Sequence, residues 1–143
     1  MATGEIAIAA TPAEIMDVLA DVPGMLEWAP AQSVTVLEHD SAGRPTRARW
    51  RENHGPLRDE FVLQYDWDGA GVSWRLIEGR ILKKEDGRYT VRAGPAGGTE
   101  VTYSLELGIG VWVLPSIRSW LELKIVTGTL ASLKGRLEGA RQA

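Results

Sequence analysis

The 143-residue chain contains no cysteine. That excludes a disulfide framework and any thiolate metal site. Histidine is nearly absent as well: His39 and His54 alone make no metal set. The longest uncharged stretch, Leu107 to Ile117, is about eleven residues, far short of the ~20 that span a bilayer. Basic residues are not in excess, and a net charge of −3 argues against a nucleic-acid partner, which demands a basic footprint. There is no repeat, low-complexity tract or linker, so one domain over residues 1–143 is expected. The opening MATGEIAIAATPAEI lacks a basic leader and carries Glu5, so it does not read as a signal peptide, and a cytoplasmic protein is expected. Phenylalanine occurs once, against six tryptophans and three tyrosines. Nearly every aromatic group therefore carries a polar atom that needs a partner when buried.

Along the chain, Gly4–Ala10 alternates and reads as a strand. Thr11-Pro12-Ala13-Glu14 is a helix start, with Thr as N-cap, Pro at the first helical position and Glu at the third. Ile15, Val18, Leu19 and Val22 form that helix's apolar stripe. A short second helix or turn at Met25–Trp28 stops at Pro30. From Ser33 the period is two, and six more strands fit: Ser33–Glu38, Thr46–Asn53, Leu57–Trp67, Val72–Leu82, Arg88–Ala93 and Thr99–Leu107. Turn residues separate them, among them Asp68-Gly69-Ala70-Gly71 and Asp86-Gly87. Short turns between consecutive strands imply an antiparallel meander. After Pro115 the helical period returns and runs to about Gly139. The fold class is α+β: a curved antiparallel sheet of about seven strands around a long C-terminal helix, with two short helices after the first strand.

Register follows from the turns. Pairing Asp68 with Gly71 sets Trp67 opposite Val72, Tyr65 opposite Trp74 and Leu63 opposite Leu76 on one face, whereas a one-residue slip mixes the faces. A turn at Asp86-Gly87 would set Leu82 opposite Val91 and Lys84 opposite Tyr89. The last hairpin sets Tyr89 opposite Tyr103 and Val91 opposite Val101. The inner face then carries Trp50, Phe61, Leu63, Tyr65, Trp74 and Leu76, continued by Tyr89, Tyr103 and Leu105. Arg47, Arg49 and Arg51 share the outer face. Each large apolar side chain gains about 1.5–3 kcal/mol on burial, so a cover is required. The C-terminal helix offers one, with a stripe of Leu123, Val126, Leu130, Leu133 and Leu137. Its first half adds Ile117, Trp120, Leu121 and Ile125 and is apolar on nearly every side, which predicts that it also lines a cavity.

The segments ATPAEIMDVLADVPGMLEWAP, GRPTRARW, LRDEFVLQYDW, SWRLIEG, KKEDGRYTV, GTEVTYSLEL and SWLELKIVTGTLASLKGRLE resemble the START-like, or SRPBCC, superfamily, and look closest to its bacterial polyketide cyclase/dehydrase and lipid-transport branch. The resemblance covers almost the whole chain. It implies a helix-grip fold holding a hydrophobic ligand between sheet and last helix. Some members are aromatase/cyclases and others are carriers or quinone-binding chaperones. Trp28-Ala29-Pro30 departs from the Trp-Cys pair expected of the quinone-binding branch.

Three constellations carry candidate chemistry. Tyr65, Tyr89 and Tyr103 on the inner face are either core packing or polar contacts for a ligand, since pockets combine apolar walls with few polar groups. Glu52, His54, Asp59, Glu78 and Arg80 have inward phase at one end of the sheet. There the expected ion pair is Asp59–Arg80, unless a bulge at Gly79 turns Arg80 outward. That end is either a solvated rim or a place where His54, Asp59 or Tyr103 moves a proton. Ile109 to Leu114, with Trp112 at its centre, is either a strand end tucked on the core or a lip over the cavity mouth, with Trp112 as plug or membrane touch point. Ile77 and Ile81 point outward and could serve a homodimer or lie under a loop. The leading expectation is a binder or carrier of a hydrophobic small molecule such as a lipid, polyketide or isoprenoid, with no cofactor and no metal. The alternative is an aromatase/cyclase or dehydratase on a polyketide-like substrate. A third is a protein-interaction module using the arginine row or the outer isoleucines.

Overall fold

The computed structural model describes residues 1–29, 31–54, 57–94, 97–109 and 114–142, without the side chains of residues 53, 54, 57 and 140–142. The elements in chain order are β1 (Ala2–Ile8), α1 (Pro12–Ala20), a 3-10 helix (Pro23–Glu27), β2 (Ser33–His39), β3 (Pro45–His54), β4 (Leu57–Asp68), β5 (Gly71–Gly79), β6 (Leu82–Ala93), β7 (Thr99–Ile109) and α2 (Pro115–Gln142). The strands form one antiparallel sheet in the order β1-β7-β6-β5-β4-β3-β2. Helix α2 lies across β1 and β7. This is the helix-grip arrangement expected from the sequence.

Local chemistry explains the element starts. Thr11 caps α1 by accepting from the Glu14 N–H at 3.1 Å, while the Glu14 carboxylate accepts from the Thr11 N–H, closing a capping box. In the β4–β5 hairpin, Asp68 faces Gly71, Trp67 faces Val72, Tyr65 faces Trp74 and Leu63 faces Leu76, as the alternation requires. Tyr89 faces Tyr103 and Val91 faces Val101, again as expected. Where α2 crosses β1 the backbone at Gly4 comes close to the helix. A Cβ there would lie 2.8 Å from a Val126 methyl.

Two expectations of register fail, and they are linked. The hairpin expected at Asp86-Gly87 forms instead at Arg80–Ile81, between β5 and β6, so β6 runs straight through Asp86 and Gly87. Leu82 therefore faces Ile109 rather than Val91, and Lys84 faces Gly108 rather than Tyr89. Gly87 is a close-approach glycine and not a turn glycine: a Cβ there would sit 2.2 Å from the Trp74 ring. The second failure is the pairing of Asp59 with Arg80. A bulge leaves Ile77 unpaired, so that Phe61 faces Gly79 and Val62 faces Glu78. The bulge reverses the phase of the strand end, and Glu78 and Arg80 are exposed. They line a recess of about 240 Å³ on the outer face, together with Arg49 and Glu60. The Asp59 carboxylate instead accepts from the N–H groups of Ile81 and Leu82 at 2.9 and 3.1 Å, which fastens the turn.

Candidate functional site

Strand alternation brings the aromatic side chains together on the inward face. Trp50 of β3, Phe61, Leu63 and Tyr65 of β4, Trp74 of β5, Tyr89 of β6, and Tyr103 and Leu105 of β7 are all buried in one apolar cluster. Trp74 stands at its centre, 6.2 Å from Tyr65, 5.2 Å from Tyr89 and 5.7 Å from Tyr103 between ring centroids. Tyr89 and Tyr103 lie 4.6 Å apart, a tilted contact permitted by their cross-strand pairing.

The polar atoms of this cluster are unevenly served. The Trp50 Nε1–H donates to the Tyr65 hydroxyl at 2.8 Å. The Trp74 Nε1–H donates to Oε2 of Glu85 at 2.7 Å. The hydroxyls of Tyr89 and Tyr103 make no hydrogen bond to another described residue, although each residue is only 5% exposed. Burial pushes all three tyrosine hydroxyls well above their ordinary range. Burial likewise lifts the Glu85 carboxyl from 4.5 to about 7. The Trp74 N–H opposes that rise, while the negative charges of Glu52 and Asp59 add to it.

Glu85 is the residue that the sequence reading misses, because it was assigned to a turn. The signal was present: Glu85, Gly87, Tyr89 and Val91 alternate in one phase, and carrying that phase back from Tyr89 puts Glu85 on the inner face. Asp59 is half-buried and its carboxylate is engaged by backbone N–H groups. Glu52, directly across from Asp59, is half-buried. The side chain of His54 lies outside the described residues, as do Trp112 and the rest of the expected lip from Gly110 to Val113.

The helix presents a different face than its apolar residues suggest. Val126, Leu130, Leu133 and Leu137 are buried as expected, but Glu122 takes the first inward position and Leu123 is 49% exposed. Glu122 is fully buried because its Oε2 accepts from the Leu107 N–H at 2.7 Å and its Oε1 meets the Met1 amine at 3.0 Å. Ile117 and Trp120, expected on the cavity floor, lie on exposed sides of α2, with the Lys124 ammonium over the Trp120 ring. Leu121 and Ile125 point toward the cluster and are half-buried, as are Leu76 and Leu82 on the facing strands.

The outer face is an ordinary charged surface. Arg49 and Arg51 reach Glu60, and Arg47 reaches Glu38 and Gln64. Ile77, the bulged residue, is 40% exposed. Among the described residues no three acidic or histidine side chains are grouped to hold a metal ion. None of the described helices is long and apolar enough to cross a membrane.

Comparison with known proteins agrees with this architecture. A START superfamily protein from Mycobacterium smegmatis superposes with a TM-score of 0.89 at 17% identity, covering 97% of both chains. The Zhui aromatase/cyclase from Streptomyces sp. R1128 gives 0.76 at 18% identity, over 96% of this chain and 92% of that one. A STAR-related lipid transfer protein from Xanthomonas axonopodis gives 0.68 at 18% identity, over 95% and 84%. No match was found among curated protein sequences. At such identities the likeness is one of fold. The family model described as polyketide cyclase/dehydrase and lipid transport matches residues 2–138, and the chain belongs to that family.

Proposed function

We propose that the chain binds or carries a hydrophobic small molecule between the inner sheet face and the first half of α2. The observation that carries this reading is the pair Tyr89 and Tyr103. Both rings are buried and neither hydroxyl bonds to a described residue, so each tyrosine adds to the apolar wall a polar group that phenylalanine would not. Two such hydroxyls side by side, next to Glu85 and against an apolar wall, suit a pocket that orients its guest with few polar groups. The half-buried inward side chains Leu76, Leu82, Leu121 and Ile125 leave apolar surface on this side of the cluster that a guest would cover. A lipid, a polyketide or an isoprenoid-like molecule has the required apolar surface. Native mass spectrometry of protein purified from its own host, with uptake of the neutral fluorophore N-phenyl-1-naphthylamine, tests the reading. A retained apolar adduct or saturable uptake of the fluorophore is expected. Absence of both would overturn it.

Glu85 also favours a second reading, an aromatase/cyclase or dehydratase. A carboxyl near 7 can both take and return a proton at neutral pH. In that role the aromatic wall would hold a polyketide-like chain in a folded conformation while Glu85 exchanged the proton. Turnover of a model poly-β-ketone that disappears in E85Q would establish it. Binding without turnover would leave the carrier reading alone.

A further inference from the structure

We propose that Glu85 is the polar anchor of this pocket, and that its ligand is an apolar molecule ending in a hydrogen-bond donor (hydroxyl, phenol or protonated amine) rather than in a carboxylate or phosphate. The inference rests on the binding reading above and narrows it to a chemical class.

Three observations lead there. Only one oxygen of Glu85 is engaged: Oε2 accepts from Trp74, and Oε1 has no partner among the described residues. That open oxygen is an acceptor set into an otherwise aromatic and aliphatic wall. Trp74, which holds the other oxygen, packs at 5.2 and 5.7 Å between ring centroids against Tyr89 and Tyr103, whose hydroxyls bond to no described residue. A ligand hydroxyl donating to Oε1 could accept from a tyrosine in return, which serves both orphan groups at once.

The third observation is where the cations go. Arg47, Arg49 and Arg51 pair on the outer face, and Arg80 is exposed there too. Lys84 pairs with Glu106 and Asp86, and Arg88 with Asp68. Arg44 lies over Trp67 at the edge of the cluster, but no described lysine or arginine pairs with Glu85, whereas Asp59 acts on it from β4, two strands away. An anionic ligand end would meet like charge at the half-buried Glu85, with no described lysine or arginine paired to it. A donor end meets the opposite situation, and a protonated amine would add the faces of Trp74 and the tyrosines.

The test holds the apolar tail constant. Dodecanol, dodecylamine and dodecanoate compete against N-phenyl-1-naphthylamine bound to the full chain at pH 8. Either the alcohol or the amine is expected to displace the fluorophore at concentrations about tenfold or more below dodecanoate. In E85Q, which keeps an acceptor for Trp74, the gap is expected to narrow severalfold. A lead for dodecylamine would assign the donor to an amine, and a lead for dodecanol to a hydroxyl. Dodecanoate binding as well as or better than both overturns the proposal, as does an unchanged ranking in E85Q, while fluorophore uptake still upholds the pocket. No uptake by the wild-type chain would overturn the binding reading itself. The wild-type ranking decides the matter even where E85Q folds poorly.

Discussion

At the scale of single residues, Glu85 and Gly87 govern the inner face. The folded chain holds the Glu85 proton more tightly than the unfolded chain does, since its value is about 7 against 4.5. The stability this confers is fully present below about pH 4.5 and is lost as pH rises through 7. Ionised at pH 8, the half-buried carboxylate costs the fold on the order of 2 kcal/mol after solvent screening. E85Q is therefore expected to raise Tm by several degrees at pH 8 and to leave it near the wild-type value at pH 4, as read by thermal denaturation at the two pH values. An equal effect at both would show that the carboxyl is not desolvated. Two positions on, Gly87 allows the Trp74 indole to lie on the β6 backbone. Gly87→Ala must push that ring aside, with an expected loss of about 1–3 kcal/mol and altered tryptophan emission. Unchanged stability would mean that the ring has room to move.

At the scale of elements, the β5–β6 turn is the informative case. Alternation alone specified the β4–β5 hairpin, because one slip there would have put Tyr65 opposite Arg75. For the following hairpin the local signal is Asp86-Gly87, and the sequence reading places the turn there. The chain turns at Arg80–Ile81 because Asp59, 22 residues before Ile81, offers acceptors to the N–H groups of Ile81 and Leu82. Asp59→Ala is expected to cost about 1–3 kcal/mol in urea denaturation and to speed hydrogen exchange at Ile81 and Leu82. Arg80→Ala should stay within about 0.5 kcal/mol of wild type. Equal losses in the two variants would restore the ion pair in place of the turn clamp. The bulge at Ile77 belongs to the same local rearrangement. It turns Glu78 and Arg80 to the outer face and leaves Glu52, Asp59 and Glu85 as the charged groups at the inward end of the sheet among the described side chains.

At the scale of the whole molecule, α2 closes the sheet chiefly along β1 and β7. Leu133 is fully buried in that contact and Leu123 faces solvent. Leu133→Ala should therefore cost about 2–5 kcal/mol by urea denaturation, and Leu123→Ala less than about 0.5. Similar costs would mean that the helix is rotated about its axis. By itself the sequence determined the seven strands, the two short helices, the long last helix and which face of β3, β4, β5 and β7 is aromatic. Those features follow from periodicity and capping, which act over a few neighbouring residues. Only the tertiary structure decided the turn at Arg80–Ile81, the outward path of Arg80, the rotation of α2 that buries Glu122 in place of Leu123, and the inward placement of Glu85. Each of these depends on a partner remote in sequence: Asp59 for the turn, Leu107 for Glu122 and Trp74 for Glu85. No local pattern contains such a partner: alternation carried back from Tyr89 offers Glu85 the inner face, but it takes the turn fastened by Asp59 to keep β6 extended through that position.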